Sequence, residues 1–449
     1  MAEKPGMRVA LLAVTLACGL VDGAAAQGAA QAQSREAIFA QMLRDPGNVT
    51  LALRYAKLSN DEGDLEAAIG ALERILFYNP SEPNARLYLG LLYAKLGSND
   101  MARGYFESVL QHPATPEPIR ARAEALLAKA NERLSPHQWN NYIRTGVRYQ
   151  SNGNDEPDGE YQVFDPINGL TTVEGNPTDD WNAYVQTGTF YSYDFGNQRG
   201  DRFEASLTTY NTRNARFDDF NYNMAEVTAG IRFGLPMENG MASVKPYVIG
   251  TAALLDDQEY FHGGGGGLVF DIPVGKIVVS PFAEAVWREY ENNDEINIIG
   301  GSQFEDRNGV TTTAGFRLAT STYAAYRFNA RLAYETRDAD QDYEGFERFL
   351  AEIQFPFDVN IKGHQLLITP LFGVRYTNYD APDPTVQDVD GIDDVTREDL
   401  EFRVGLAADY AINDWAGVGA QVLYRTTDSN LNAYETDNWT ISFGPNFRF

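Results

Sequence analysis

The chain has 449 residues, of which 63 are acidic and 36 basic, so its formal net charge at pH 7 is −27. A nucleic-acid partner is excluded, because nucleic-acid binding requires a basic surface. With one Cys and four His, the sequence also excludes a disulfide framework and a Cys-based zinc site, and we expect no cofactor and no resident metal.

The first 26 residues have the three-part pattern of a secretory signal peptide. A charged start precedes the apolar run 9–20, and Ala24-Ala25-Ala26 forms an A-x-A cleavage site. The apolar run is too short for a membrane-spanning helix. A lipoprotein signal that uses Cys18 is the alternative, but the residues before it make a poor lipobox. We therefore expect residues 1–26 to be removed during export.

Residues 34–135 have the periodicity of helices, with apolar residues three and four positions apart. A pattern within them recurs after 34 residues, which is the length of a tetratricopeptide repeat. Small residues recur where two antiparallel helices would approach closely, and larger ones where they would fill the groove. The predicted packing residues are Ala56, Ala68 and Leu72, followed by Gly90, Ala102 and Phe106. We expect a small adaptor or peptide-docking domain, with a generic helical hairpin domain as the alternative.

From residue 139 to residue 449 about fourteen segments alternate apolar and polar residues, which predicts strands. Long links such as 151–180, 256–260 and 380–395 alternate with short ones such as 235–241 and 320–322. This alternation is typical of a barrel with one rim outside the cell and the other in the periplasm. The fold class is therefore an α-helical tetratricopeptide-like domain followed by an all-β transmembrane barrel of about 14 antiparallel strands in the bacterial outer membrane.

Each face of the predicted barrel wall has its own candidate residues. Charged residues on the polar face are the candidate lumen-facing residues: Arg144, Arg148, Glu284, Arg288, Arg327, Arg331, Arg375 and Arg403. The terminal segment resembles the sorting signal of outer-membrane barrels, which implies recognition by the barrel assembly machinery through Ile441, Phe443, Phe447 and Phe449. Aromatic residues at strand ends predict girdles against outer-membrane lipids: Tyr142, Tyr149, Trp181, Tyr191, Tyr193, Trp287, Tyr290, Trp415 and Trp439.

Both ends of the predicted barrel fall on the short-turn side, so we expect the helical domain to lie in the periplasm. The acidic residues concentrate in long links, notably 151–180 and 380–399. Asp388-x-Asp390-Gly391-x-Asp393 has some features of a calcium loop, but Asp399 occupies the position of the bidentate Glu. A solvated hydrophilic rim is the alternative.

Catalytic motifs are scarce in this sequence. We find no trusted Ser/His/Asp set, no P-loop and no H-E-x-x-H motif. His262 and His364 fall at strand starts without a placed partner. We therefore expect a transport protein and not an enzyme.

The segment 146–154 reads Gly-Val-Arg-Tyr-Gln-Ser-Asn-Gly-Asn. It resembles the opening G-x-x-Y-x-S-N-x-N stretch of the surface lipoprotein assembly modulator (Slam) family, which also places helical repeats before a barrel. The resemblance implies a periplasmic domain that engages a client lipoprotein or secreted protein, and a barrel that helps it across the outer membrane. An exopolysaccharide export porin and a passive porin with an adaptor domain are the alternatives.

Overall fold

The computed structural model describes residues 35–165, 169–237, 240–291, 304–320, 327–361, 363–384, 386–387 and 395–449. The signal peptide predicted over residues 1–26 lies outside these residues. The calcium-loop pattern over residues 388–393 lies outside them as well. The chain divides between Ser135 and Pro136 into two compact units.

The described part of the first unit, residues 35–135, contains six helices joined by short turns. They are α1 (35–44), α2 (Val49–Asp61), α3 (Leu65–Tyr78), α4 (Pro83–Lys95), α5 (Asn99–Gln111) and α6 (Glu117–Leu134). The turn after α2 and the turn after α4 each contain a glycine with positive φ, Gly63 at 85° and Gly97 at 82°. Glycine is favoured just after a helix because it adopts this left-handed conformation without strain. These two glycines lie one predicted repeat length apart, so the structure shows the same period as the sequence.

The core of the helical unit uses the small and large residues that the repeat pattern predicts. Ala56, Ala68 and Leu72 are at most 1% exposed, and so are Ala102 and Phe106 of the second repeat. The ring of Phe106 lies against Gly90, where a Cβ atom would come within 2.4 Å of Cε1. Close approach of α4 and α5 therefore depends on a missing side chain at position 90.

The second unit contains eighteen strands among its described residues. They are β1 (His137–Gln150), β2 (Gly159–Asp165), β3 (Gly169–Gly175), β4 (Asp180–Asp194), β5 (Arg202–Asn214), β6 (Tyr222–Met237), β7 (Gly240–Leu255), β8 (Gln258–Val274), β9 (Ile277–Tyr290), β10 (Gly309–Thr320), β11 (Asn329–Ala339), β12 (Phe346–Gln354), β13 (Phe357–Ile361), β14 (His364–Pro382), β15 (Val386–Gln387), β16 (Thr396–Ala411), β17 (Ala416–Ser429) and β18 (Thr436–Arg448).

Fourteen of these strands form a closed antiparallel barrel, as the sequence predicts. Each pairs with the next strand of the ring in chain order, with β2, β3, β13 and β15 lying outside the fourteen, and β1 pairs with β18 to close the ring. The last residue completes this seam, because the backbone N–H of Phe449 donates to Asn141 at 3.1 Å and the N–H of Asn141 donates back at 2.9 Å. Strand β13 continues the line of β12 along β14. Closure leaves the wall without a free edge, which is the condition for strands to cross a lipid bilayer.

The long link between β1 and β4 is more ordered than the sequence predicts. It contains the hairpin β2–β3, and β15 from another link pairs with β2 to make a separate three-stranded sheet. The three strands are short, and the contacts that hold them come from residues far away along the chain. Local alternation was therefore too weak a signal for this sheet.

Two predicted links differ from the structure. The link predicted over 256–260 is a two-residue turn, in which Asp256 and Asp257 have φ of 50° and 58°. Asp tolerates the left-handed conformation that such a tight hairpin requires, so a long connection is unnecessary. The strand predicted to contain Arg327 begins later, at Asn329. In the described part of the chain, no helix is long and apolar enough to cross a membrane.

Candidate functional site: the barrel interior and its mouth

The two faces of the barrel wall differ sharply in chemistry. The outward face carries large exposed apolar residues at alternate positions, including Val147, Phe316, Leu332 and Phe349. All five tryptophans of the chain are exposed, between 44% and 61% of their surface: Trp139, Trp181, Trp287, Trp415 and Trp439. The inward face carries most of the charged residues of the strands, and the candidate site is this interior.

Two residues predicted for the aromatic girdles lie on the inward face. The ring of Tyr142 covers Gly188 of the neighbouring strand, where a Cβ atom would come within 2.2 Å of the ring. Tyr290 is buried, and it packs against Phe261 with ring centroids 5.3 Å apart. The prediction was therefore wrong for Tyr142 and Tyr290, because it followed position near a strand end and not the alternation of faces.

One ion-pair network joins β5 to β9 near the rim with short turns. Arg232 Nε donates to Glu204 at 2.7 Å, and Lys245 Nζ lies 3.1 Å from the same carboxylate. Arg232 also pairs with Asp271, which accepts a hydrogen bond from the Ser280 hydroxyl at 2.6 Å. Since these strands follow one another round the ring, the network joins five of the fourteen strands of the wall.

A second network lies on β11, β12, β14 and β16. Arg403 Nε lies 2.6 Å from Glu401, and Arg375 lies 3.6 Å from the same carboxylate. Arg348 pairs with Glu335 at 2.9 Å. Two of these arginines, at positions 375 and 403, are predicted lumen-facing residues, and each has a carboxylate partner. Paired charges of this kind bind the wall together and leave little net charge for a solute.

Five more predicted interior residues contact aromatic rings or a hydroxyl group. Arg148 donates to the hydroxyl of Tyr210, and Glu284 accepts from the hydroxyl of Tyr247 at 2.7 Å. Three guanidinium groups lie over rings: Arg144 over Tyr142 at 5.8 Å, Arg288 over Phe261 at 5.6 Å and Arg331 over Phe282 at 5.6 Å. The sequence reasoning missed Arg317, whose guanidinium lies 4.4 Å from the centroid of Phe282. The alternation of Phe316, Arg317 and Leu318 could have revealed it.

Arg327 does not lie within a strand. It precedes β11 and pairs with Asp358 at 2.6 Å, and both side chains are at least one-third exposed. This placement corrects the predicted strand position of Arg327. The ion pair lies where the chain enters the wall, so it joins the residues before β11 to β13 at the rim.

The mouth at the opposite rim contains a cluster of tyrosines, arginines and acids around a cavity of about 420 Å³. Tyr161 and Val163 of the β2–β3 hairpin are each 6% exposed and line this cavity with residues from distant parts of the ring. Arg307 and Arg337 both donate to Glu344, at 3.2 and 3.0 Å. Because Tyr161 and Val163 are buried among the residues of the cavity, the hairpin is docked inside the mouth and not spread over the outer surface.

Buried charges stabilise one another in the mouth cluster. The guanidinium carbon of Arg397 lies 3.4 Å from the ring centroid of Tyr434, whose hydroxyl donates to Asp383 at 2.5 Å. Burial, reinforced by Asp383, raises the pKa of Tyr434 well above its ordinary value. Burial also opposes the charge of Arg307, yet Tyr260 and Glu344 together raise the pKa of that guanidinium.

The S-N-x-N part of segment 146–154 holds the start of the long link. The Asn152 side chain accepts from Glu156 N at 3.1 Å and donates to Glu156 O at 2.7 Å. Asn438 of β18 donates to the Asn152 carbonyl at 3.1 Å, and Asn154 accepts from Thr178 N at 2.8 Å. These residues therefore fasten both ends of the link beside the seam between the first and last strands.

Several acidic residues of the links have protein partners. Asp180 is 2% exposed and accepts from the backbone N–H groups of Trp181 and Arg216, at 2.7 and 3.1 Å. Asp155 pairs with Arg425, and Asp399 pairs with Arg397 at 2.6 Å. Some acidic side chains of the links therefore hold the links in place through hydrogen bonds and ion pairs. Among the described residues, no group of three or more His, Cys, Asp or Glu side chains has the geometry of a metal site.

The terminal strand presents its predicted assembly residues on the outward face. Ile441, Phe443 and Phe449 are exposed, and Phe447 stacks on Trp415 with centroids 6.1 Å apart. Recognition of this face by the barrel assembly machinery stays a prediction.

These features define a two-part protein, in which a tetratricopeptide-like helical domain precedes a closed antiparallel barrel of 14 strands with a charged interior. No family model and no curated protein matches the sequence.

Solved structures resemble the two parts separately. PcrH from Pseudomonas aeruginosa is 21% identical over 23% of this chain and 82% of its own, with a TM-score of 0.22. The Yersinia enterocolitica type III secretion chaperone SycD, solved with a peptide of the translocator YopD, is 13% identical over 23% of this chain and 82% of its own, with a TM-score of 0.22. OprB from Pseudomonas putida is 10% identical over 75% of this chain and 98% of its own, with a TM-score of 0.35.

Proposed function

We propose that this protein is an outer-membrane channel that assists the export or surface display of a client lipoprotein or secreted protein. The helical domain engages the client in the periplasm, and the barrel forms the passage. One observation carries the proposal: a single chain combines a closed barrel, apolar outside and charged inside, with a repeat domain that exposes large apolar side chains. Membership of the Slam family stays a prediction.

The wall supports the membrane part of this proposal. Outward apolar residues such as Val147 and Phe443 would be costly in water, whereas lipid chains accept them. The tryptophans on the outward face suit the interfaces between lipid and water. The strands of the ring contain between 9 and 19 residues, which is enough to cross a bilayer when tilted.

The direction of the barrel follows from its turns. β1 begins, and β18 ends, at the rim that carries the short turns. Outer-membrane barrels place their short turns in the periplasm. This arrangement supports the proposal that the chain enters the barrel from the periplasmic side, with the helical domain in that compartment.

The surface of the helical domain supports the engagement of a client. Phe77 at the end of α3 is 81% exposed, so its ring is available for contact with an apolar partner. A groove of about 430 Å³ lies between α3, α4 and α5. Leu76, Met101 and Tyr105 line the groove with Arg86. An extended apolar peptide with a polar backbone fits such a surface.

The deciding experiment removes the helical domain and follows a client lipoprotein at the cell surface. Deletion of residues 27–135 should leave a barrel that still migrates in a heat-modifiable way on SDS gels but should abolish surface display. Phe77→Ser in the full chain should reduce display, whereas Leu43→Ser, an exposed apolar residue of α1, should not.

Unchanged display after the deletion would refute the translocator function. Loss of small-solute uptake with normal display would favour a porin with an adaptor domain.

A further inference from the structure

Arg317 and Arg331 form an unusual pair on the inner wall of the barrel. They are direct cross-strand partners in the register of β10 and β11, and both guanidinium groups lie over the ring of Phe282. Like charges directly opposite each other on neighbouring strands destabilise a sheet. Such a pair therefore needs a compensating group.

The described residues supply no carboxylate to either arginine within 4 Å. The acid directly opposite Arg331 in the register of β12 is Glu352, and its carboxylate is already engaged, since it lies 3.6 Å from Arg403. Arg317 and Arg331 differ in this respect from three other arginines of the wall. Arg348, Arg375 and Arg403 each have a carboxylate partner. The contacts with Phe282 fix the direction of the two guanidinium groups without neutralising them.

A second observation concerns the hydrogen-bonding capacity of the pair. The Nε atom of Arg331 is buried and has no hydrogen-bond partner among the described residues. The side chain of Arg317 is exposed to the lumen. A guanidinium group is a planar fork of donors that matches the oxygens of a phosphate or carboxylate. Two guanidinium groups that lack a carboxylate partner therefore supply the hydrogen-bond donors of an oxyanion site.

We propose that Arg317 and Arg331 form a binding site for an oxyanion in the water of the lumen. The anion lies between the two guanidinium groups, accepts charge-assisted hydrogen bonds from both, and relieves their mutual repulsion. This site is independent of the proposed engagement of a client, because it lies wholly in the barrel wall. It gives the pore a preference for solutes that carry phosphate or carboxylate groups.

The test measures the binding of inorganic phosphate to the full-length protein in detergent by phosphorus NMR. The wild-type protein should bind saturably, and Arg317→Gln and Arg331→Gln should each weaken binding by about tenfold or more, because each removes a charged donor. Arg317→Lys keeps the charge but not the fork, so its effect should be smaller. Arg144→Gln is the matched control, since it removes a lumen charge that has no second arginine opposite, and binding should change by less than about twofold.

Heat-modifiable migration shows which variants have folded, and Arg317→Lys provides a milder change if a glutamine variant fails. The proposal is overturned if the wild-type protein shows no saturable binding, or if the glutamine variants bind as the wild type does. It is also overturned if Arg144→Gln weakens binding as strongly, because the general positive potential of the lumen would then be responsible.

Discussion

At the scale of single residues, the helical domain depends on one absent side chain. Gly90 lies where α4 crosses the ring of Phe106, and the equivalent position of the first repeat is Ala56, opposite the smaller Leu72. A phenylalanine in the groove thus requires a glycine across from it. The two repeats fill the same volume with different pairs, which explains why their sequences diverge within one pattern.

Gly90→Ala should therefore destabilise the helical domain by about 1–3 kcal/mol, because the new methyl group would overlap the ring of Phe106. Gly70→Ala in α3 is the control. Nothing lies within 4 Å of a Cβ atom there, so this change should stabilise the domain by about 0.5–1 kcal/mol through helix propensity. Urea unfolding followed by the helical circular dichroism signal measures both. Equal effects of the two substitutions would contradict the packing argument.

The positions of single residues within their strands explain which interior residues the sequence predicts correctly. Alternation placed Arg148, Glu284 and Arg331 on the polar face because each lies within a regular strand whose neighbouring residues alternate. It failed for Tyr290, which lies at a strand end, where apolar residues suit either face. Partners such as Tyr210 for Arg148 lie dozens of residues away, so no local pattern contains them.

At the scale of elements, the long link between β1 and β4 acts as a docked hairpin. Its position depends on Asn152, which joins the link to β18, and on Tyr161, which enters the mouth cluster. The sequence predicted the link but not the hairpin. The reason is physical: β2 and β3 are stabilised by side chains from β8, β9 and β16 and by neighbouring links, and these contacts form only when the barrel closes.

Asn152→Ala should loosen this link while the barrel still folds. The substitution leaves the backbone groups of Glu156 without their partner inside the protein, and each lost buried hydrogen bond costs about 1–3 kcal/mol. Limited proteolysis should then cut between residues 153 and 179 faster than in the wild type. Asn140→Ala, at an exposed position of the same strand, should leave the rate unchanged. Equal protection of the Asn152 variant would show that the mouth cluster alone holds the link.

At the scale of the whole molecule, one chain contains two units that are stabilised by different interactions. The helical unit is stabilised by burial of small apolar cores, whereas the barrel is stabilised by a continuous ring of backbone hydrogen bonds. Some of the acidic residues of the chain also have a structural role. Asp180 accepts a backbone hydrogen bond and Asp399 pairs with an arginine, so both help to hold the links in place.

The two units should therefore unfold separately. In detergent, heating should remove the helical circular dichroism signal at a temperature where the barrel still shows its folded migration on SDS gels. The reason is that a small helical core is marginally stable, whereas a closed barrel has no edge from which to unravel. A single transition that removes both signals together would show that the units stabilise one another.

The outward tryptophans have a practical consequence. None of the five lies in residues 35–135, and all of them lie on the outer surface of the barrel wall. The tryptophan fluorescence of the chain is consequently a built-in reporter of insertion, because its emission and its quenching by brominated acyl chains depend on the barrel alone. Refolding of the wall into vesicles can be timed without any attached dye, because residues 35–135 contribute no tryptophan emission.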